Sequence, residues 1–144
     1  MLPQLTTQIP GPRSRLLGEQ LARYESRNIT FVSDEFPIFW DRAEGSNVWD
    51  VDGNCYLDLT SAFAVSSLGH RNPKIIKALS SQANKLLHGM GDVHPTELKV
   101  ELCKKISEIT FERWTGNVGQ SILSSSGSES IESALKTAFL ATGK

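Results

Sequence analysis

The segment that most constrains the fold lies near the end of the chain. The run Gln120 to Ser124 has the composition of a short strand, and a turn at Gly127 leads into a stretch whose apolar residues recur at helical spacing. A strand, a tight glycine turn and a helix form the first half of a β-α-β unit. The strand of such a unit normally lies in a parallel sheet that is covered on both faces. The sequence therefore predicts an α/β fold.

No second strand follows this helix before the sequence ends at residue 144. A lone strand with two open edges promotes aggregation, so it needs a partner. Two interpretations remain open: the strand pairs with another chain, or the sequence is the opening section of a longer protein. We favour the second, and expect a fold that is incomplete by itself.

A three-stranded antiparallel meander is predicted between the first helix and the later ones. The β-rich runs are Ile38 to Trp40, Val48 to Val51 and Cys55 to Leu59. Asp52 and Gly53 separate the last two runs, and Asp-Gly is typical of a two-residue hairpin with a type I′ turn. Apolar residues occur on both faces of the meander, which favours burial against further protein.

Four helices are predicted from apolar periodicity and from Pro and Gly punctuation. The first runs from about Arg13 to Arg27, and the second follows Asn72 as cap and Pro73 as first helical residue. A third opens at Pro95, and the last follows Gly127 and ends at Gly143.

Composition excludes several classes of function. Hydrophobic residues make up 39% of the chain, charged residues 22%, and the net charge is -1. These values exclude a disordered chain and give no basic surface for nucleic acid or an acidic membrane. No window approaches the roughly 18 apolar residues of a membrane span, and residues 1–12 do not have the basic region followed by an apolar run that is typical of a secretory leader. We expect a cytoplasmic protein whose partner is a small molecule or another protein.

Neither cysteine chemistry nor a metal site is indicated. Cys55 and Cys103 match no disulfide framework or zinc-ligand spacing. His88, Asp92 and His94 lie close together in the sequence, but their spacing matches no recognised ligand pattern. The sequence therefore predicts no metal.

The turn before the last helix combines residues that suit an anion. Gly127 permits close approach of the backbone, and the first helical turn offers unpaired N–H groups at the positive end of the helix dipole. With the hydroxyls of Ser126 and Ser128 they would seat a phosphate. The alternative is that Ser126 or Ser128 merely caps the helix, assisted by Glu129 and Glu132.

Several segments, in this order, resemble the class III, pyridoxal phosphate (PLP)-dependent aminotransferases of fold type I. One is the run GSNVWDVDGNCYLDLTSAFAVSSLGHRNPKIIKAL, with its DG turn, YLD strand and Gly-His-x-x-Pro helix start. Another is SSSGSESIESALK, which resembles the family's Ser/Thr-Gly-Ala/Ser-Glu motif, and the last is the closing Thr-Gly-Lys. The resemblance extends over residues 30 to 144.

The resemblance implies a fold and a domain order. Residues 1–12 would form an N-terminal arm, and residues 13–70 the first segment of the small domain, with a helix and the meander. Residues 71–144 would begin the large PLP-binding domain, with helices and one strand–helix unit. Family members form homodimers with the active site at the interface.

The resemblance also implies roles for individual residues. Ser126, Gly127 and Ser128 fall on the phosphate cup, and Phe63 falls on a position that lines the substrate pocket, although a core aromatic is an equal alternative. His70 matches the family's Gly-His pair, and we expect it to be structural, because a lone histidine before a helix start is more often a satisfied polar residue than a catalyst. None of the lysines falls at the position of the Schiff-base lysine, so no catalytic residue is expected in this chain.

The implied activity is transfer of an amino group from an amino donor to a 2-oxo acid, with PLP as cofactor. Without the Schiff-base lysine, the chain is expected to be inactive by itself. The alternative is a non-catalytic phosphate-binding or assembly module that acts as a homo-oligomer.

Overall fold

The computed structural model describes residues 2–33 and 35–143. The chain forms two compact units, Met1–Lys85 and Leu86–Lys144. The elements of the first unit are α1 (Pro12–Tyr24), β1 (Trp40–Glu44), β2 (Asn47–Asp50), β3 (Cys55–Leu57) and α2 (Pro73–Lys85). Those of the second unit are α3 (Glu97–Ile109), α4 (Phe111–Thr115) and α5 (Gly127–Thr142).

The first unit is built on the antiparallel meander, in the order β1-β2-β3, as the sequence predicts. Ala43 pairs with Val48, and Trp49 pairs with Cys55. Val48, Trp49 and Cys55 are the buried hydrophobic side chains of the described residues. The Arg42 guanidinium lies 3.6 Å from the centre of the Trp49 ring and covers it.

The hairpin turn differs from the predicted type I′ turn. Gly53 has a φ of +84°, whereas Asp52 keeps a negative φ. The Gly53 N–H donates to the Asp50 carbonyl over 3.1 Å, and the Asp50 N–H donates to the Asn54 carbonyl over 3.0 Å. The loop therefore has three residues, the last a left-handed glycine. The prediction was wrong because Asp52 is engaged in a contact outside the hairpin.

That contact is the cap of α1. Gly11, at the N-cap position, has no side chain to offer. Asp52 Oδ1 accepts from the Arg13 N–H over 2.8 Å, and Oδ2 accepts from the Ser14 N–H over 2.9 Å and from its hydroxyl over 2.6 Å. A Cβ at position 11 would overlap the Asp52 carboxylate. A glycine is therefore required where the distant carboxylate replaces a local cap.

The N-terminal arm follows the outer edge of β3. Gln4 and Cys55 exchange two backbone hydrogen bonds, of 3.0 and 2.7 Å. Asn54 Oδ1 accepts from the N–H groups of Thr6 and Thr7 over 2.7 and 2.9 Å. Asn54 is fully buried, so its amide joins the arm to the hairpin out of contact with water.

We expect Asp52→Ala to lower the free energy of unfolding by about 0.5–2 kcal/mol near neutral pH, the usual value of a helix cap. Burial raises the pKa of Asp52, but the hydrogen bonds from Ser14 and Arg13 and the Arg13 charge hold it below its ordinary value. The carboxylate therefore stabilises the fold above the unfolded pKa of about 3.9, and this contribution is lost as the pH falls through the folded pKa.

Urea unfolding at about pH 7 and about pH 3 checks the Asp52 prediction, since the difference between wild type and variant should shrink in acid. The exposed Asp41→Ala is the matched control. A difference that does not change with pH would contradict an ionised cap.

The second unit is held at the junction of α3 and α4. Ser107 is 3% exposed, donates its hydroxyl to Glu112 over 2.7 Å and accepts from the Gly119 N–H over 2.9 Å. The α3 helix begins after Thr96, whose hydroxyl accepts from the Lys99 N–H over 3.3 Å. It thus begins two residues after the predicted Pro95, because proline has no side-chain oxygen to cap a helix.

The predicted strand at 120–124 is not formed. The segment takes no part in the described sheet, and no described residue pairs with it in a ladder. A strand exists only through hydrogen bonds to a neighbour, and apolar composition alone does not provide one.

The helix faces are largely uncovered. No residue of α2 or α5 is buried. Gly143 ends α5 with a φ of +66°, as predicted, while Lys144 lies outside the described residues. Within the described ranges, no helix has both the length and the hydropathy that crossing a bilayer requires.

Candidate functional site

The predicted anion seat lies at the N-terminus of α5. Ser126 is the N-cap, with extended backbone angles φ -145° and ψ 162°. Its hydroxyl accepts from the Glu129 N–H over 3.2 Å, and its carbonyl accepts from the Ser130 N–H over 3.1 Å. No described residue accepts a hydrogen bond from the N–H groups of Gly127 and Ser128. Two donors are therefore available at the positive end of the helix.

The N-terminus of α5 is also open to solvent. A Cβ built on Gly127 would meet nothing within 4 Å, and Ser126 and Ser128 are exposed. Packed side chains over this helix start would have excluded an anion, and the described residues place none beside Gly127. Two free amides, two nearby hydroxyls and the dipole of a 16-residue helix fit the phosphate group of PLP.

The structure also contains the predicted cap at the N-terminus of α5. Glu129 Oε2 accepts from the Ser125 N–H over 2.8 Å, and the Glu129 N–H donates to the Ser126 hydroxyl. This arrangement resembles a capping box and uses none of the donors on Gly127 and Ser128. Capping and anion binding are therefore compatible, although the Glu129 carboxylate places a negative charge close to the seat.

Phe63, the residue assigned to the substrate pocket, lies in the first unit and is 94% exposed. It is not part of a core in this structure. The residue lies in a loop of unusual conformation, which we call the Phe63 turn (60–66). Ser61 to Ala64 have φ values of +51°, +50°, +56° and +65°. The left-handed conformation costs about 1–2 kcal/mol per non-glycine residue, so surrounding contacts must impose it.

Those contacts centre on Asp58, which the sequence reasoning missed. Oδ1 accepts from the Thr60 N–H over 2.9 Å and from its hydroxyl over 2.8 Å, and Oδ2 accepts from the Ala62 N–H over 2.9 Å. Oδ2 also lies 2.8 Å from His70 Nε2. The hydrogen bond with His70, followed by that from Thr60, lowers the pKa of Asp58 to about 2. Asp58 and Thr60 form an Asx-turn pattern, which could have identified this role from the sequence.

His70 connects the Phe63 turn to the meander. Its N–H donates to the Gly45 carbonyl over 2.8 Å, and its carbonyl accepts from the Gly45 N–H over 2.9 Å. The Trp40 ring meets the imidazole edge to face at 5.9 Å. The side chain is 12% exposed, which agrees with the structural role assigned to it.

The histidines outside this pair form no metal centre with their neighbours. Among residues 2–33 and 35–143, no group of three His, Cys, Asp or Glu side chains is placed to hold a metal ion. His94 pairs with Met90 in an isolated backbone bridge.

The comparisons with known proteins agree with the resemblance seen in the sequence. The family model for class III aminotransferases matches residues 30–144. The acetylornithine aminotransferase of Caldanaerobacter subterraneus is 36% identical over 80% of this chain and 28% of its own length. The 4-aminobutyrate aminotransferase of Escherichia coli K12 is 41% identical over 77% of this chain and 25% of its own length. The chain thus spans little more than a quarter of these relatives.

The structural comparison confirms the fold class. The taurine:2-oxoglutarate aminotransferase of Bifidobacterium kashiwanohense, solved with PLP and glutamate, superposes with a TM-score of 0.74 at 25% identity. The match covers 91% of this chain and 28% of that one. The chain is therefore a partial α/β unit with a three-stranded antiparallel sheet, as the sequence predicts. The match of the family model over residues 30–144 shows that the chain belongs to the class III aminotransferases, a family that depends on PLP.

Proposed function

We propose that this chain is the N-terminal part of an aminotransferase that moves an amino group from an amino donor to a 2-oxo acid. The observation that carries the proposal is the open N-terminus of α5, with the N–H groups of Gly127 and Ser128 free in the part of the chain that the structure describes. These residues lie within the segment that matches the family.

The chain's own residues would bind and orient the cofactor. Gly127 and Ser128 would donate their amides to the phosphate, and the hydroxyls of Ser126 and Ser128 would add further hydrogen bonds. When bound, PLP supplies an electron sink for the carbon that carries the amino group. Phe63 would contribute an apolar wall for the substrate, which its exposed ring supports.

The proposal includes a homodimer and a cytoplasmic location. The apolar residues that α2 and α5 leave exposed favour burial against further protein. Cys55 and Cys103 are free thiols, as is usual in a reducing compartment.

The test is an assay of the full-length protein with PLP, a panel of amino donors and 2-oxoglutarate. We expect amino transfer by the full-length protein and none by the 144-residue chain alone, because no lysine here matches the Schiff-base position. Activity of the isolated chain, or a full-length protein without saturable PLP binding, would contradict the proposal.

The alternative, a non-catalytic phosphate-binding or assembly module, has one supporting observation. The segment 120–124 has no ladder partner among the described residues, so a second chain could pair with it. The mass of the isolated chain in solution separates the two functions. A discrete, stable homodimer would favour the module, whereas aggregation would favour the enzyme.

A further inference from the structure

The Phe63 turn is a strained, apolar loop that is held in one conformation. Four successive residues, Ser61 to Ala64, adopt the left-handed region. Within the turn, the Ala64 N–H donates to the Thr60 carbonyl and the Ser66 N–H to the Ser61 carbonyl, each over 2.9 Å. Such strain persists only where surrounding groups impose it, and it is concentrated at binding and catalytic sites.

The Asp58 carboxylate supplies that constraint through both of its oxygens. Its side chain is 5% exposed, and it accepts three hydrogen bonds from Thr60 and Ala62 at the start of the turn. The fourth partner, His70 Nε2, approaches Oδ2 at 2.8 Å. Since each oxygen serves two partners, a neutral amide in its place could satisfy only one side.

His70 extends the constraint to a rigid element. Its two backbone hydrogen bonds with Gly45 hold it to the β1–β2 turn, and Trp40 packs on its ring. The contacts therefore run without a gap from the meander through His70 and Asp58 to the Phe63 turn. The turn presents apolar side chains to solvent, with Phe63 94% and Val65 84% exposed.

We propose that Asp58 and His70 are a positioning pair, which holds the Phe63 turn against the meander so that Phe63 is presented in the orientation that the amino donor requires. This inference rests on the proposed function. Neither residue touches the reacting atoms, and both act through the conformation of residues 60–66. Loss of the pair releases the strained turn and weakens donor binding without changing the phosphate seat.

The first test measures the rate of amide hydrogen exchange in the Phe63 turn of the full-length protein. Asp58→Asn and His70→Gln should speed exchange of the Ala62 and Ala64 amides at least about tenfold and leave the β2–β3 ladder unchanged. The same chemical changes at exposed positions, Asp41→Asn and His88→Gln, are the matched controls. Turn exchange equal to that of the controls would overturn the proposal. If Asp58→Asn does not fold, His70→Gln tests the same contact.

The second test measures KM and kcat, which distinguish a positioning role from a general loss of structure. Asp58→Asn should raise KM for the amino donor about tenfold, with PLP affinity unchanged and kcat within about twofold. Phe63→Ala should do the same, and the double variant should be no worse than Phe63→Ala alone, because both act through one ring. Additive effects, or a loss confined to kcat, would refute positioning.

Failure of the proposed function is distinguishable from failure of this inference. A wild-type protein that does not transaminate contradicts the function, and the exchange experiment still decides whether the pair holds the turn. An active wild type whose Asp58→Asn variant behaves like Asp41→Asn contradicts only the positioning pair.

Discussion

Replacing Gly127 with proline is expected to weaken PLP binding about ten- to a hundredfold. The substitution removes one N–H donor from the phosphate seat, and a hydrogen bond to a charged group is worth about 1.5–3 kcal/mol. Gly127→Ala keeps the N–H and places its Cβ in open space, so it should bind PLP within about twofold of wild type.

The local geometry allows the Gly127→Pro and Gly127→Ala variants to be compared without loss of the helix. Gly127 is the first residue of α5, a position at which proline is favoured, and its N–H has no acceptor among the described residues. Ser126 before it already has the extended conformation that a residue preceding proline prefers. The helix should therefore persist in both variants.

Titration of the apo form of the full-length protein with PLP gives the two affinities, and circular dichroism verifies that α5 is retained. Equal affinities for Gly127→Pro and Gly127→Ala would place the phosphate elsewhere. The capping alternative alone predicts that equality, since the cap uses the Ser126 hydroxyl and not the Gly127 amide.

Asp50→Ala is expected to lower the free energy of unfolding by about 3–5 kcal/mol, since each buried donor left unpaired costs about 1–3 kcal/mol. The carboxylate is 2% exposed and accepts from the N–H groups of Asp52 and Asn54 over 2.9 and 2.8 Å. It also accepts from the Asn54 side-chain amide over 2.8 Å and the Tyr56 hydroxyl over 2.7 Å. One carboxylate thus holds the hairpin turn and the residue that joins the arm.

Two further variants are compared with Asp50→Ala for their loss in free energy of unfolding, measured in urea. Tyr56→Phe removes one donor and should cost about 1 kcal/mol, whereas the exposed Asp41→Ala should stay within about 0.5 kcal/mol of wild type. Burial, with the hydrogen bond to Asp50, raises the pKa of Tyr56, so the hydroxyl remains protonated, and therefore a donor, at and above its ordinary pKa of about 10. A cost for Asp50→Ala no larger than that for Tyr56→Phe would contradict a shared buried network.

The elements that sequence reasoning predicted well are those whose hydrogen bonds are local. The meander was predicted from β-rich runs separated by turn residues such as Asp52-Gly53. The α5 helix was predicted from the residues around Gly127 at its start and from Gly143 at its end. Capping and turn preferences act within a few residues, so they can be recognised from residues that are adjacent in the sequence. The start of α5 belongs to this class, because Ser126, which caps the helix, adjoins it. The role of this helix start in holding a phosphate stays a prediction.

Contacts between distant segments were not predictable in the same way. The cap of α1 is Asp52, which lies 38 residues beyond Ser14, and local pattern gives no reason to connect them. Using Asp52 as a cap also excluded the type I′ turn that its own neighbours favour. The strand at 120–124 failed for a related reason, since pairing depends on a neighbour and not on composition.

The amino-acid sequence alone determined the family, the meander and the residues at the start of α5, because each depends on short-range spacing and on motifs in a set order. Only the tertiary structure decided which carboxylate caps α1, and that Asp58 and His70 together restrain the Phe63 turn. Those pairings join residues far apart in the sequence, and their hydrogen bonds form only after folding has brought the groups within about 3 Å and removed competing water.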